Sequence, residues 1–257
     1  MSFSTKKKLI AVALAIVILS VTILVSSNSA GATKTLNLTI FGGEVWADYK
    51  NITMSLKFPE PKAVTIDPAK TILQIVDMQE DFVGTAIRGT KYKPVYITNI
   101  QKLLQLARDL DMTVVHQFST KQQNPYWKSP RNMMRFLADP THKAIISELA
   151  PIDRSNEYTV YKFSHDIFLH TYMEDLLNKL PSEIDTVIIT GINTNVCNLY
   201  TLEGYCARGY KVIIPMDGNL CGNQQVQAMT LQVMATHSSD FPATMTLSNM
   251  ITFEINQ

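Results

Sequence analysis

Apolar and polar positions divide the 257-residue chain into stretches of different character. Leu9 to Ser27 is uncharged throughout and mostly apolar. Between Thr33 and Lys62, the runs Leu36-Asn-Leu-Thr-Ile-Phe and Ile52-Thr-Met-Ser-Leu-Lys-Phe alternate with a period of two, as half-buried strands do. From Ile66 onward, short apolar runs take turns with segments of helical period. Strands are expected near 72–77, 112–118, 157–161, 185–191, 210–216 and 246–252, and helices near 94–110, 141–149, 170–180, 195–208 and 224–237. Pro94, Pro151 and Pro181 punctuate these boundaries. Repeated strand–helix units imply parallel strands with right-handed crossovers. The pattern therefore predicts an α/β fold: a Rossmann-like three-layer sandwich with a six-stranded, mainly parallel sheet flanked by helices.

The amino terminus is a separate matter. Lys6-Lys7-Lys8 precedes the uncharged run, and Ser29-Ala30-Gly31-Ala32 comes after it with small residues suited to cleavage. Residues 1–32 thus read as a secretory signal peptide or as a retained membrane anchor, the run being nearly long enough to span a bilayer. Both readings place the rest of the chain outside the cytoplasm, secreted or held at the membrane, because positive charge stays inside. Residues 33–65 form an extension with two glycosylation sequons, at Asn37 and Asn51, and a linker-like Phe58-Pro-Glu-Pro-Lys62. Residues 66–257 make one domain of about 190–200 residues. Hydrophobic content of 46% supplies an ample core, and a net charge of +1 gives no support for a nucleic-acid partner.

Candidate chemistry gathers at three strand ends. Asp77 interrupts the run Ile72 to Val76 at its carboxyl end, where ligands collect in open α/β sheets, and can serve as a general base. Asp81, just beyond, reads as a loop cap. Lys162 closes the alternating run Tyr158 to Tyr161, where an ammonium would hold a nearby thiol and carboxylate ionised. Cys197 lies beyond the run ending at Gly191 and the turn Asn193-Thr194-Asn195. A thiol in the first turn of a helix tends to lose its proton, and should be alkylated near neutral pH. Cys206 and Cys221 could pair outside the cytoplasm, with Cys206 as a small buried residue the favoured reading.

Asp77-Met-Gln-Glu-Asp-Phe, Lys162-Phe-Ser-His-Asp-Ile-Phe and Gly191-Ile-Asn-Thr-Asn-Val-Cys197 have the order and spacing found in isochorismatase-like cysteine hydrolases, which the chain resembles from about Ile66 to its end. The resemblance implies a catalytic triad of Asp77, Lys162 and Cys197. It also implies an oxyanion hole made by the backbone N–H groups of Asn193 and Cys197, and a cis peptide at Ile192–Asn193. Gln79, Phe82 and, on the loop after the second strand, Trp127 are expected around a small-molecule substrate. The implied reaction is hydrolysis of a carbon–nitrogen bond in an amide, ureido, carbamoyl or lactam compound through a thioester. An ether hydrolase of the same family and a non-catalytic binding protein are the alternatives. Members acting on nicotinamide carry an Asp-x-His with a further His as metal ligands. Here the matching stretch holds only His116, expected as a strand-end residue near the pocket, so no metal or other cofactor is implied. Homo-oligomers are common in the family and are expected here.

Overall fold

The computed structural model describes residues 35–38, 52–55, 58–86, 93–120, 144–236 and 243–254. Trp127 and residues 1–32 lie outside them. The chain divides into two compact units, Met1–Lys57 and Phe58–Gln257. In the first, β1 (Thr35–Leu38) pairs antiparallel with β2 (Ile52–Ser55), Thr35 opposite Ser55. These are two of the stretches whose alternation predicts strands.

The second unit is built on a parallel sheet. Its strands are β4 (Thr71–Val76), β5 (Thr113–Ser119), β6 (Glu157–Lys162), β7 (Thr186–Ile192), β8 (Lys211–Pro215) and β10 (Thr244–Thr246), in the spatial order β10-β8-β7-β4-β5-β6. A seventh strand of two residues, β9 (Asn219–Leu220), extends the pairing at the end of β7. The sequence predicts six strands, because two residues carry no readable period. The central strands β4 and β7 are buried at every position. Continuous apolar runs are the signature of strands covered on both faces.

Alternation along β4 sorts its side chains between two cores. Ile72 and Val76 join Leu202, Tyr205 and Leu231 on one face, under α4 (Leu199–Cys206) and α5 (Gln224–Thr236). Leu73 and Ile75 join Ile100 and Leu104 on the other, under α2 (Lys93–Asp109). Gln74 falls on the first face, where its side-chain oxygen accepts from the buried Tyr205 hydroxyl at 2.8 Å.

Elsewhere the local structure departs from expectation. The expected strand over 246–252 is two strands parted by a turn at Ser248–Met250. The second, β11 (Ile251–Phe253), pairs with β3 (Val64–Ile66) in a small sheet of its own. The expected helix over 141–149 is, where described, only a 3₁₀ turn at Ser147–Leu149. The backbone just before it bonds across the fold: Ile146 N–H donates to Met78 O, and Ala144 O accepts from Glu80 N–H. A short helix, α1 (Glu80–Ala86), forms directly after the Asp77 turn, with Glu80 and Asp81 in its first turn. Acidic side chains there favour the helix N-terminus. In the expected helix over 170–180 only α3 (Met173–Leu177) is α-helical.

His116 is corrected by the structure. It is not at a strand end by the pocket but fully buried within β5. Its Nε2 lies 2.9 Å from Oε1 of Glu157, the first residue of β6. Arg108 grips the same carboxylate from α2 with two N–H groups, at 2.7 and 3.1 Å. Burial opposes the charge on Glu157, but the hydrogen bonds from His116, Arg108 and the Ile152 N–H outweigh it and bring the carboxyl down to about 2. The three cysteines are free thiols, with Cys206 and Cys221 buried.

Candidate active site

Three parallel strands deliver the residues that the motifs single out. Asp77 comes directly after β4, Lys162 ends β6, and the Cys197 turn comes after β7. Asp77 has φ +49°, a left-handed backbone that turns the chain sharply off the strand. At Gly191, φ is +115°, and a Cβ would lie 2.2 Å from Val76 O. Only glycine lets β7 pass β4 this closely just before the Cys197 turn. The Ile192–Asn193 peptide is cis, as the family resemblance implies.

Lys162 Nζ lies 2.8 Å from Asp77 Oδ2, and the two side chains are 0% and 2% exposed. A buried charge is tolerated only when paired and hydrogen-bonded. Ser119, the last residue of β5 and the register partner of Lys162, donates to Asp77 Oδ1 at 3.1 Å. Gln79 is fully buried, with both ends of its amide on the Ser119 main chain: its oxygen accepts from Ser119 N–H at 2.8 Å and its NH₂ donates to Ser119 O at 3.2 Å. Placed there, it fixes Ser119, which in turn fixes Asp77. Phe82 sits on α1, partly buried against the core.

Cys197 is held in a π-helical turn, Thr194–Asn198, that precedes α4. Asn193 O accepts from both Val196 N–H at 3.0 Å and Asn198 N–H at 3.2 Å, closing the turn. Cys197 O accepts from the Thr201 hydroxyl at 2.7 Å, and that hydroxyl oxygen accepts from Gln117 Nε2 at 2.8 Å. The Asn198 amide donates to Gly191 O and to Asn219 Oδ1. The Cys197 turn is thus tied to β5, β7 and β9. Neither Gln117, Thr201, Asn198 nor Asn219 stands out in the sequence, because buried amides and hydroxyls in such positions break no periodicity.

The electrostatics reverse one expectation. Burial and the Asp77 carboxylate push the Cys197 thiol up to about 12 against the opposing Lys162 ammonium. For Lys162, burial works against the charge, yet Asp77 and Cys197 overcome it and hold the ammonium above its ordinary value. Hydrogen bonding to both Asp77 and Lys162 contributes to the state of the thiol, so the three groups share one site. At neutral pH that site holds an ion pair and a neutral thiol. One further group stands against the sulphur: His165 Nδ1 is 3.5 Å from Cys197 Sγ. It lies inside the Lys162 motif, but a histidine in a loop gives no signal of what it faces. Among the described residues no group of three or more His, Cys, Asp or Glu side chains is arranged to hold a metal ion.

A model of the isochorismatase domain matches residues 71–245, which takes in all three strand ends. The chain belongs to the isochorismatase family. Within this family of hydrolases it is 28% identical, over 153 residues, to the uncharacterized isochorismatase family protein YaaI of Bacillus subtilis, covering 58% of this chain and 80% of that one. Among solved structures, a cysteine hydrolase from Pseudomonas syringae pv. phaseolicola superposes with a TM-score of 0.59 at 25% identity, over 74% of this chain and 94% of the other. An isochorismatase-like hydrolase from Alkaliphilus metalliredigens gives a TM-score of 0.53 at 26% identity, covering 70% and 95%. The family match falls within the second unit.

Proposed function

We propose that this isochorismatase-family hydrolase cleaves a carbon–nitrogen bond of a small amide, ureido or carbamoyl compound, using Asp77, Lys162 and Cys197. The observation that carries the reading is the Asp77–Lys162 pair, closed to solvent and coupled to the Cys197 thiol. A neutral thiol beside a carboxylate suits attack with simultaneous proton transfer. Cys197 Sγ adds to the carbonyl carbon as Asp77 takes its proton. Asp77 then hands that proton to the leaving amine, and a thioester remains on Cys197. Lys162 keeps the pair from becoming two adjacent negative charges as the sulphur ionises. The backbone N–H groups of Asn193 and Cys197 are assigned to the oxyanion, whose stabilisation is a large term in acyl transfer. A cysteine nucleophile favours this chemistry over ether cleavage, and the likeness to a cysteine hydrolase supports it.

The test is turnover on a panel of amides, ureas and carbamoyl amines. Cys197→Ala should reduce the activity found to background while the melting temperature moves by no more than about 2–4 °C, the effect of a ~1 kcal/mol change in a domain of this size. Cys197→Ser should be nearly as inactive, because a hydroxyl is much harder to ionise. Substantial activity in Cys197→Ala would overturn the assignment.

A further inference from the structure

His165 is the group in contact with the sulphur that the reaction above leaves unused. Its Nδ1 lies 3.5 Å from Cys197 Sγ. Asp77 and Lys162 are closed to solvent, whereas His165 is partly exposed and its ring lies beside that of Tyr200, which is 51% exposed.

The loop is built to hold the ring there. Lys162 Nζ donates to His165 O at 3.4 Å, tying the backbone to the buried pair. Next to it, the Ser164 hydroxyl donates to Asp166 O and accepts from Asp166 N–H, and Phe168 N–H donates to Asp166 Oδ1. Burial and the Lys162 ammonium hold the imidazole below its ordinary value, with Asp77 opposing, so at neutral pH the ring is free to accept a proton.

We propose that His165 is the acid–base group for the second half of the reaction, taking a proton from the water that attacks the Cys197 thioester and returning it to the sulphur. The proposal rests on the thioester reading above. As water oxygen bonds to the acyl carbon, its proton passes to His165 Nδ1. The tetrahedral intermediate then breaks its carbon–sulphur bond, and the same proton moves from Nδ1 to the departing Sγ. The product acid keeps the other water proton. Thiol and neutral imidazole are restored, and no further reactant is consumed. Asp77, already returned to carboxylate by the leaving amine, serves the first half, and His165 serves the second.

The probe is p-nitrophenyl acetate, an activated acyl donor that does not require the natural substrate. Release of p-nitrophenolate in the first turnover reports acylation. After rapid desalting, mass spectrometry tracks the decay of acetylated Cys197 and reports deacylation. His165→Asn keeps a polar atom near the sulphur but cannot carry a proton. In that variant the acetyl group should persist about a hundredfold longer than in the wild type, the loss expected for one acid–base group, with first-turnover release nearly unchanged. His165→Gln should behave in the same way, and the preserved first turnover shows that the site is still folded. Equal acetyl lifetimes in variant and wild type would overturn the proposal and leave Asp77 serving both halves. A first-turnover loss as large as the gain in lifetime would also overturn it, because His165 would then be supporting the site as a whole. Absence of acetylated Cys197 in both proteins, or acetylation that survives Cys197→Ala, would instead remove the thioester reading, and this proposal with it.

Discussion

Removing one member of the buried Asp77–Lys162 pair leaves the other charged, without a partner, in a place closed to water. That is far more costly than the pair is stabilising, because an uncompensated buried charge loses hydration and receives nothing in return. Asp77→Asn alone should therefore lower stability by about 3–5 kcal/mol. The double variant Asp77→Asn/Lys162→Met replaces the ammonium with an apolar chain of similar length and should recover most of that loss. Both proteins should be inactive. Chemical denaturation of the three forms checks this, and a double variant as unstable as the single one would mean that the pair is a structural element first. Charge-bearing residues at strand ends are legible in a sequence because they interrupt apolar runs, and Asp77 and Lys162 are visible for that reason. The proton state of Cys197 is not. A helix start argues for an acidic thiol, but burial and the neighbouring carboxylate, which only the folded chain brings together, decide it the other way.

At the scale of elements, the central strands β4 and β7 are readable because strands buried on both faces are written as continuous apolar runs, and β6 because its residues alternate. What escapes reading depends on contacts between elements. The chain around Ile145 and Ile146 has the residues for a helix, yet its backbone pairs with the segment after β4. β9 is two residues long and exists through its pairing with β7. His116 shows the same limit, since nothing near it in sequence points to Glu157, which lies 41 residues away. The Glu157 carboxylate joins α2, β5 and β6, and this junction has a pH signature. Its pKa is about 2 in the folded chain against an ordinary value of 4.5. A depressed carboxyl contributes stability above its unfolded value and loses it as pH falls toward the folded one. The contribution at pH 7 is on the order of 3 kcal/mol. Glu157→Gln should melt well below the wild type at pH 7, and the two melting temperatures should converge as the pH falls from about 4.5 towards 2. A gap that widens on acidification would refute this role.

For the whole molecule, we propose separate tasks for the family domain and the amino-terminal run. Among the described residues no helix is long and apolar enough to cross a membrane, and the uncharged run Leu9 to Ser27 lies outside them. Two helical layers already cover the main sheet. We expect residues 1–32 to direct the enzyme out of the cytoplasm, and a chain lacking them to be soluble and fully active. The full-length protein should fractionate with membranes, or appear as a soluble form starting near Thr33. Misfolding on deletion would show that the run belongs to the core, and protection from added protease in intact cells would show a cytoplasmic enzyme.

The neutral thiol over a buried ion pair also governs which covalent inhibitors can work. Iodoacetamide needs a thiolate already present, so it should modify Cys197 slowly at pH 7 and faster as the pH approaches 12, where the thiol ionises. On the mechanism proposed above, a nitrile or aldehyde shaped like the scissile amide meets a different sulphur, one whose proton leaves for Asp77 only as the new bond forms. Such compounds should add readily at neutral pH and release on dilution. A drug screen built on general thiol reactivity would therefore pass over this enzyme, and one built on substrate-like electrophiles would find it.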